Sequence, residues 1–152
     1  MHASAHRPLR RAAVLLGWLL AACSPPPQAP GEGDGARVEA DVFSGLPNPA
    51  WELDASESGE LARRFRGLAP AAGAVELHEG LGYRGFVVTG VETETGGCER
   101  VRVQGGAVQA ACGGETRAYV DPERALERWL ARTAEGRAEP EVVRRLREET
   151  GG

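Results

Sequence analysis

The nonapeptide Phe43-Ser44-Gly45-Leu46-Pro47-Asn48-Pro49-Ala50-Trp51 constrains the backbone more firmly than any other stretch of the chain. It places two prolines, a glycine and the only asparagine of the sequence between two aromatic residues. Neither proline can donate a hydrogen bond to a sheet, and the residue before each proline is restricted to extended conformations. The stretch therefore predicts a rigid corner, the Phe43–Trp51 corner, between a first strand and a first helix.

Regular patterns flank this corner on both sides. Before it, residues 37–43 alternate between apolar and polar side chains, which predicts a half-buried strand. After it, Asp54 and Glu57 have the spacing of a capping box. This spacing predicts a helix that runs to about Arg66.

The rest of the chain predicts an antiparallel sheet followed by two helices. Gly105-Gly106 is a two-residue hairpin signal, Asp121-Pro122 is a helix start, and Pro140 opens a last helix. The predicted strands are residues 75–77, 83–93, 101–103, 107–110 and 116–120. This order of elements predicts the α+β class, with a small antiparallel sheet and helices packed on one face.

The N-terminal segment has the pattern of an export signal. A cationic stretch, residues 6–11, precedes an apolar run, residues 12–22, that is shorter than the roughly 20 residues of a membrane-spanning helix. The run ends in Leu20-Ala21-Ala22-Cys23, which resembles the lipobox of bacterial lipoproteins. The resemblance implies cleavage before Cys23 and attachment of palmitate-type acyl chains to this residue. An ordinary signal peptide with a chance cysteine is the alternative.

These features predict three parts of the chain: a signal peptide over 1–22, a lipidated cysteine with a disordered Pro/Gly-rich tether over 23–36, and one α+β domain over 37–150. The lipid would anchor the protein in a membrane, facing the periplasm or the cell exterior. Ser24, rather than an acid, follows Cys23, which favours the outer membrane. Loss of the signal peptide removes three arginines and no acid, so the net charge falls from −4 to −7. This acidity argues against a nucleic-acid partner.

The other two cysteines, Cys98 and Cys112, are predicted to form a disulfide in an oxidising compartment. The two-residue turn leaves them one step out of register, which a bulge at Gly106 or at Gly96-Gly97 would correct. Two free thiols or a metal site are the alternatives. A metal needs more ligands than two cysteines and His78 supply, so no metal is predicted.

No catalytic residue and no cofactor is predicted. His78 is the only histidine after the signal peptide, and no serine stands in a G-x-S-x-G motif. The paired carboxylates Glu39 and Asp41 are explained by alternation along an exposed strand face. An envelope hydrolase that acts at the Ser44–Asn48 part of the corner is the alternative. It requires that His78 or two carboxylates converge there in a pocket.

Three residues are candidates for binding a ligand: Asn48 and Trp51 in the corner, and Tyr83. A rigid turn with nearby aromatic side chains is typical of ligand sites. In the structural alternative, Phe43 and Trp51 pack into the core and Asn48 binds its own backbone as an Asx-turn. A row of arginines on the predicted second helix also has two interpretations, a binding surface for an anionic partner or a solvated helix face. The row consists of Arg124, Arg128 and Arg132.

Three motifs of the mature part resemble an uncharacterised family of bacterial secreted proteins and lipoproteins that shares FSGxPNPxW. They are FSGLPNPAWEL (Phe43–Leu53), LGYRGFVV (Leu81–Val88) and DPERALERWL (Asp121–Leu130), and the likeness spans most of residues 38–135. The family pattern has arginine where this chain has Leu46. The resemblance implies no activity, catalytic residue or cofactor.

The sequence thus predicts a lipid-anchored envelope protein whose domain is a binding or accessory module, with an envelope ligand or a protein as its partner. The hydrolase is one alternative. A purely structural or inhibitory envelope protein is the other, and it would be supported if Phe43, Trp51 and Tyr83 were buried and no concave site remained.

Overall fold

A computed structural model describes residues 35–93 and 96–152, which form one sheet of eight strands and three α-helices. The predicted signal peptide, Cys23 and nearly all of the tether lie outside the described residues. Over those described ranges, none of the helices has the length and apolar character needed to cross a membrane. The α+β class predicted from the sequence is confirmed.

The bounds of the elements follow the chain order. The strands are β1 (Arg37–Ala40), β2 (Ala50–Glu52), β3 (Ala69–Pro70), β4 (Phe86–Thr89), β5 (Val91–Thr93), β6 (Gly96–Gln104), β7 (Ala107–Cys112) and β8 (Glu115–Val120). The helices are α1 (Ala55–Arg66), α2 (Ala125–Thr133) and α3 (Pro140–Thr150), and a 3-10 turn, Pro122–Arg124, precedes α2.

Every strand pair in the sheet is antiparallel, and the strand order is β2-β1-β4-β6-β7-β8-β3. β5 pairs with β6 beside β4, because the chain kinks at Gly90, which has a φ of +72°. The long strand β6 therefore holds two short strands on one edge and β7 on the other.

One face of the sheet is the core. The register aligns Val38, Val88, Val101 and Ala110 across four neighbouring strands, and each of them is at most 1% exposed. The helices cover this face with Leu61, Leu126, Leu130 and Leu146, all at most 2% exposed. Full burial of such a side chain stabilises the fold by about 1.5–3 kcal/mol. The prediction of helices on one face is confirmed.

The Phe43–Trp51 corner is the loop of a hairpin, which corrects the predicted direct junction between strand and helix. After the corner the chain returns along β1 as β2, with Trp51 opposite Val38. Only afterwards does α1 begin, with the predicted capping box: Glu57 N donates to Asp54 Oδ1 at 2.8 Å, and Asp54 N to Glu57 Oε2 at 3.0 Å. A strand of three residues between a proline and a helix cap is too short to show alternation in the sequence.

Other strand boundaries also differ from the prediction. Residues 75–77 form no strand, because a side chain holds the chain just beyond them: His78 N donates to Gln104 Oε1 at 2.6 Å. Ala69–Pro70, for which the sequence predicts no strand, pairs with the end of β8. The predicted strand 83–93 is divided by Gly90 into β4 and β5.

The disulfide between Cys98 and Cys112 is confirmed, with an S–S distance of 2.07 Å. The two residues lie opposite each other in β6 and β7. The register correction falls between Cys98 and Arg100, not at the predicted glycines. The hairpin turn itself is regular, so the extra residue is taken up along β6. Glu99 there accepts a hydrogen bond from Gly113 N at 3.1 Å.

A polar cleft above a buried carboxylate

The structure places Trp51 in the core. Its side chain is 5% exposed, and its indole Nε1 donates to Thr133 Oγ1 at 3.0 Å. The ring also meets Phe86 edge to face, with centroids 6.4 Å apart. Trp51 therefore joins β2 to α2 and the sheet, and it has no surface to offer a ligand.

Asn48 is engaged within its own loop. Its Oδ1 accepts from the backbone N–H groups of Val42 and Phe43 at 3.1 and 3.0 Å, and its Nδ2 donates to Glu39 and Asp41 at 3.1 and 3.0 Å. The predicted Asx-turn on its own backbone is therefore wrong. The amide bridges the two sides of the hairpin loop, which explains why one asparagine stands at this position.

Arg84 fixes the same loop from a neighbouring segment. Its guanidinium binds Asp41 through two nitrogens and donates to Phe43 O at 2.9 Å and Ser44 Oγ at 3.3 Å. Burial alone would raise the pKa of Asp41, but hydrogen bonds from Arg84 and Asn48 outweigh it and lower the pKa. Two carboxylates, Asp41 and Glu39, thus do converge on the corner, where Asn48 binds both and Arg84 holds Asp41 ionised.

Tyr83 belongs to a different hydrogen-bond network, whose centre is Glu127 on α2. The Glu127 side chain is fully buried, at 0% exposure. The Tyr83 hydroxyl donates to Glu127 Oε1 at 2.6 Å. Arg124 donates from Nε to Oε2 at 2.7 Å and from Nη2 to Oε1 at 3.0 Å. A buried carboxylate with a bidentate arginine and a tyrosine is satisfied at each oxygen.

A strained turn brings Arg124 to this carboxylate. Glu123 and Arg124 both have left-handed backbone conformations, with φ of +55° and +56°. Such residues cost on the order of 1–3 kcal/mol each and cluster at functional sites. The Asp121 carboxylate bridges the turn, since it accepts from the N–H groups of Leu126 and Glu127 at 2.9 and 3.0 Å. Asp121 therefore binds the first turn of α2, but the predicted helix start at Asp121-Pro122 is corrected, because a 3-10 turn intervenes and Arg124 is the N-cap of α2.

The network fixes the charge of its members. Burial would raise the pKa of Glu127, but hydrogen bonds from Arg124 and Tyr83 outweigh this effect and lower it. Burial, followed by the charge of Glu127, raises the pKa of Tyr83 far above its ordinary value. The hydrogen bond to Glu127 raises the pKa of Arg124. Glu127 and Arg124 are therefore ionised, and Tyr83 is neutral, throughout the physiological range.

A cleft of about 380 Å³ opens above this network. Its polar lining comes from six side chains: Glu76, His78, Tyr83, Gln104, Arg124 and Glu149. Of the predicted binding residues, Tyr83 lines the cleft, and Asn48 and Trp51 are not among its lining residues. His78, excluded as a catalytic residue for want of partners, lies here and not among the contacts of Ser44 or Asn48.

The charge of the cleft follows from these pairings. Arg124 and Glu127 neutralise each other, so Glu76 and Glu149 supply the remaining carboxylates of its lining. Gln104 is 9% exposed and adds an amide to the wall. Within residues 35–93 and 96–152, no group of three or more His, Cys, Asp or Glu side chains is arranged to hold a metal ion. The lining favours a ligand with a positive charge and hydrogen-bonding groups.

Sequence reasoning missed Glu127, the residue on which the cleft rests. The available signal was its place on α2, one position after buried Leu126 and four before buried Ala131. The predicted row of arginines does not act as one surface: Arg124 is bound to Glu127, whereas Arg128 is 3.9 Å from the exposed Glu123.

No protein-family model, no curated protein and no solved structure matches the chain, so the site is interpreted from its own chemistry.

Replacement of Tyr83 by phenylalanine should destabilise the protein by about 1–3 kcal/mol, because a buried carboxylate oxygen loses its hydroxyl donor. The measurement is the free energy of unfolding in urea at pH 7. Tyr119→Phe is the matched control, since the Tyr119 ring packs on Phe65 and, over the described ranges, its hydroxyl donates to no buried carboxylate. A loss for Tyr83→Phe no greater than that of the control would contradict the network.

Proposed function

We propose that this chain is a lipid-anchored protein of a bacterial cell envelope and that its folded domain is a binding module whose site is the polar cleft. The observation that carries the binding site is the fully buried Glu127, held ionised by Arg124 and Tyr83 beneath a concave polar surface. Burial of an ion costs several kcal/mol, and the strained turn adds to that cost. Because this arrangement lowers the stability of the fold, it indicates a functional site.

Binding is favoured over catalysis because the central groups are not poised to transfer protons. A general acid or base works best with a pKa near the ambient pH. The pKa of Glu127 is lowered and that of Tyr83 is strongly raised, so both are moved away from neutrality. The network acts as a rigid support for the groups that face the cleft.

The ligand that fits is a small molecule or a side chain with an ammonium or guanidinium group. Glu76 and Glu149 supply negative charge, and the His78 ring supplies a hydrogen-bonding group. The Gln104 amide is engaged by the backbone of His78 and Tyr83 and forms the wall. The volume of about 380 Å³ lies at the lower end of the range for small-molecule sites. A cationic group is also the chemistry that the acidic mature chain would attract from solution.

Three four-carbon probes test this charge preference: butane-1,4-diamine, butane-1,4-diol and butanedioate. Titration calorimetry on the full chain carrying Cys23→Ser should show the diamine binding about tenfold or more tightly than the diol, because ion pairing adds at least about 1.4 kcal/mol. Butanedioate should not bind. Glu76→Gln should weaken diamine binding, while Glu139→Gln, outside the cleft lining, should not. Equal affinity for diamine and dianion would refute the assignment.

The lipid anchor rests on the cationic stretch, the short apolar run and the box Leu20–Cys23. Each buried acyl methylene contributes about 0.8 kcal/mol, so two or more chains hold a protein stably at a membrane. With Ser24 after the cysteine, we place the protein at the outer membrane, with the domain facing the periplasm or the cell exterior.

Replacement of Cys23 by serine should move the protein from the membrane fraction to the soluble fraction of the envelope, because serine has no thiol to which the lipid can be attached. Ser24→Ala serves as the control and should stay in the membrane fraction. Fractionation with immunoblotting measures both. A Cys23→Ser protein that still sediments with membranes would exclude lipid attachment at this residue as the anchor.

A further inference from the structure

A second cavity, of about 350 Å³, has a different chemistry from the polar cleft. Its apolar lining comes from Phe65 at the end of α1, Leu68 after it, Cys112 at the end of β7 and Tyr119 on β8. We call it the Phe65–Tyr119 groove. The two rings meet edge to face, with centroids 5.3 Å apart, and Phe65 is 6% exposed.

The elements around the groove are held firmly. Cys112 is joined to Cys98 by the disulfide, which ties β7 to β6 at this end of the sheet. Leu68 N donates to Phe65 O at 3.1 Å, so the chain leaving α1 is hydrogen-bonded back to the helix end. An apolar surface between rigid elements is preorganised, which lowers the entropic cost of binding.

The charged residues of the groove are cations. Arg66 and Arg117 belong to its lining, and among the described residues no carboxylate does. This local charge is opposite to that of the whole chain, which carries 22 acidic and 18 basic residues. It is also opposite to the polar cleft, whose lining includes Glu76 and Glu149.

Arg117 is the residue best placed to receive an anion. Arg66 has contacts of its own. The described ion pair of Arg117 is with Glu115, two residues away, and both side chains are about two-thirds exposed, at 65% and 68%. Such an exposed surface pair contributes little to stability, so another carboxylate can replace Glu115 at small cost. Arg117 lines the groove next to Tyr119, which places its guanidinium beside the apolar surface.

We propose that the Phe65–Tyr119 groove binds amphipathic carboxylates, with an alkyl or aryl chain on the half-buried Leu68 and Tyr119 and the carboxylate on Arg117. A guanidinium donates two parallel hydrogen bonds to a carboxylate, a geometry that neutral groups do not reproduce. The apolar part is needed as well, because an exposed ion pair alone binds weakly. This site is separate from the polar cleft and does not depend on the function assigned there.

The test uses 4-phenylbutanoate as the probe. The alcohol 4-phenylbutan-1-ol is the comparison without the negative charge, and acetate is the comparison without the phenylalkyl chain. In two-dimensional NMR of the full chain with Cys23→Ser, 4-phenylbutanoate should shift the amide signals of Leu68, Cys112 and Tyr119. Its affinity should exceed that of the alcohol about tenfold or more, as a charge-assisted hydrogen bond predicts. Acetate should produce no saturable shift.

Arg117→Gln should weaken 4-phenylbutanoate binding about tenfold and leave binding of the alcohol unchanged. Arg63→Gln is the matched control on α1, since Arg63 pairs with Glu60 and lies outside the groove lining. A second variant, Leu68→Ala, should weaken both probes. Equal affinities for acid and alcohol, shifts that map to another surface, or an unchanged affinity in Arg117→Gln would each overturn the proposal.

Discussion

The remainder of this site depends on how Arg124 and Tyr83 bind the ionised carboxylate of Glu127, which has no solvent exposure. An uncompensated ion in the interior costs several kcal/mol, so its partners must be held in place. Arg124 reaches it only because the chain before α2 makes a left-handed turn. Tyr83 reaches it only because β4 begins three residues later, at Phe86, which leaves residue 83 outside the ladder.

The two polar networks of the domain meet at consecutive residues. Tyr83 binds Glu127 on α2, whereas Arg84 binds Asp41 and the corner loop. The backbone at these two residues is therefore fixed on one side by the helix layer and on the other by the hairpin. Asn48 completes the second network through Asp41. The corner is thus architecture that holds the wall of the cleft, and the cleft is the surface that we propose for recognition.

Much of the fold was accessible from local chemistry. The capping box at Asp54 and Glu57, the turn at Gly105-Gly106 and the alternation of β1 are short-range signals, and each is confirmed. β2 and β3 were missed because two or three residues cannot show a period, and their pairing is decided by distant strands. The sequence predicts a helix start at Asp121-Pro122, but the left-handed pair Glu123 and Arg124 that delays α2 has no sequence signal, since neither residue is a glycine.

The site was harder to predict than the fold. Tyr83 was selected as a candidate beside an aromatic corner, yet its partner is an acid 44 positions away. Glu127 looked like a solvated residue among arginines on a helix surface. The tertiary packing of α2 shows that this position faces inward, between Leu126 and Ala131. Buried charges are rare, so a sequence pattern assigns them to the surface by default.

The charge state of Glu127 tests the account most directly. Its pKa in the folded protein is lower than its ordinary value. Its contribution to stability is therefore present above the ordinary pKa and is lost as the pH falls through the folded-state pKa. The measurement is a pH titration of the Glu127 side-chain carboxyl by carbon NMR. We predict that Glu127 stays ionised to a lower pH than an ordinary glutamate side chain does. Protonation of Glu127 at or above the ordinary pKa of glutamate would contradict the buried ionised network.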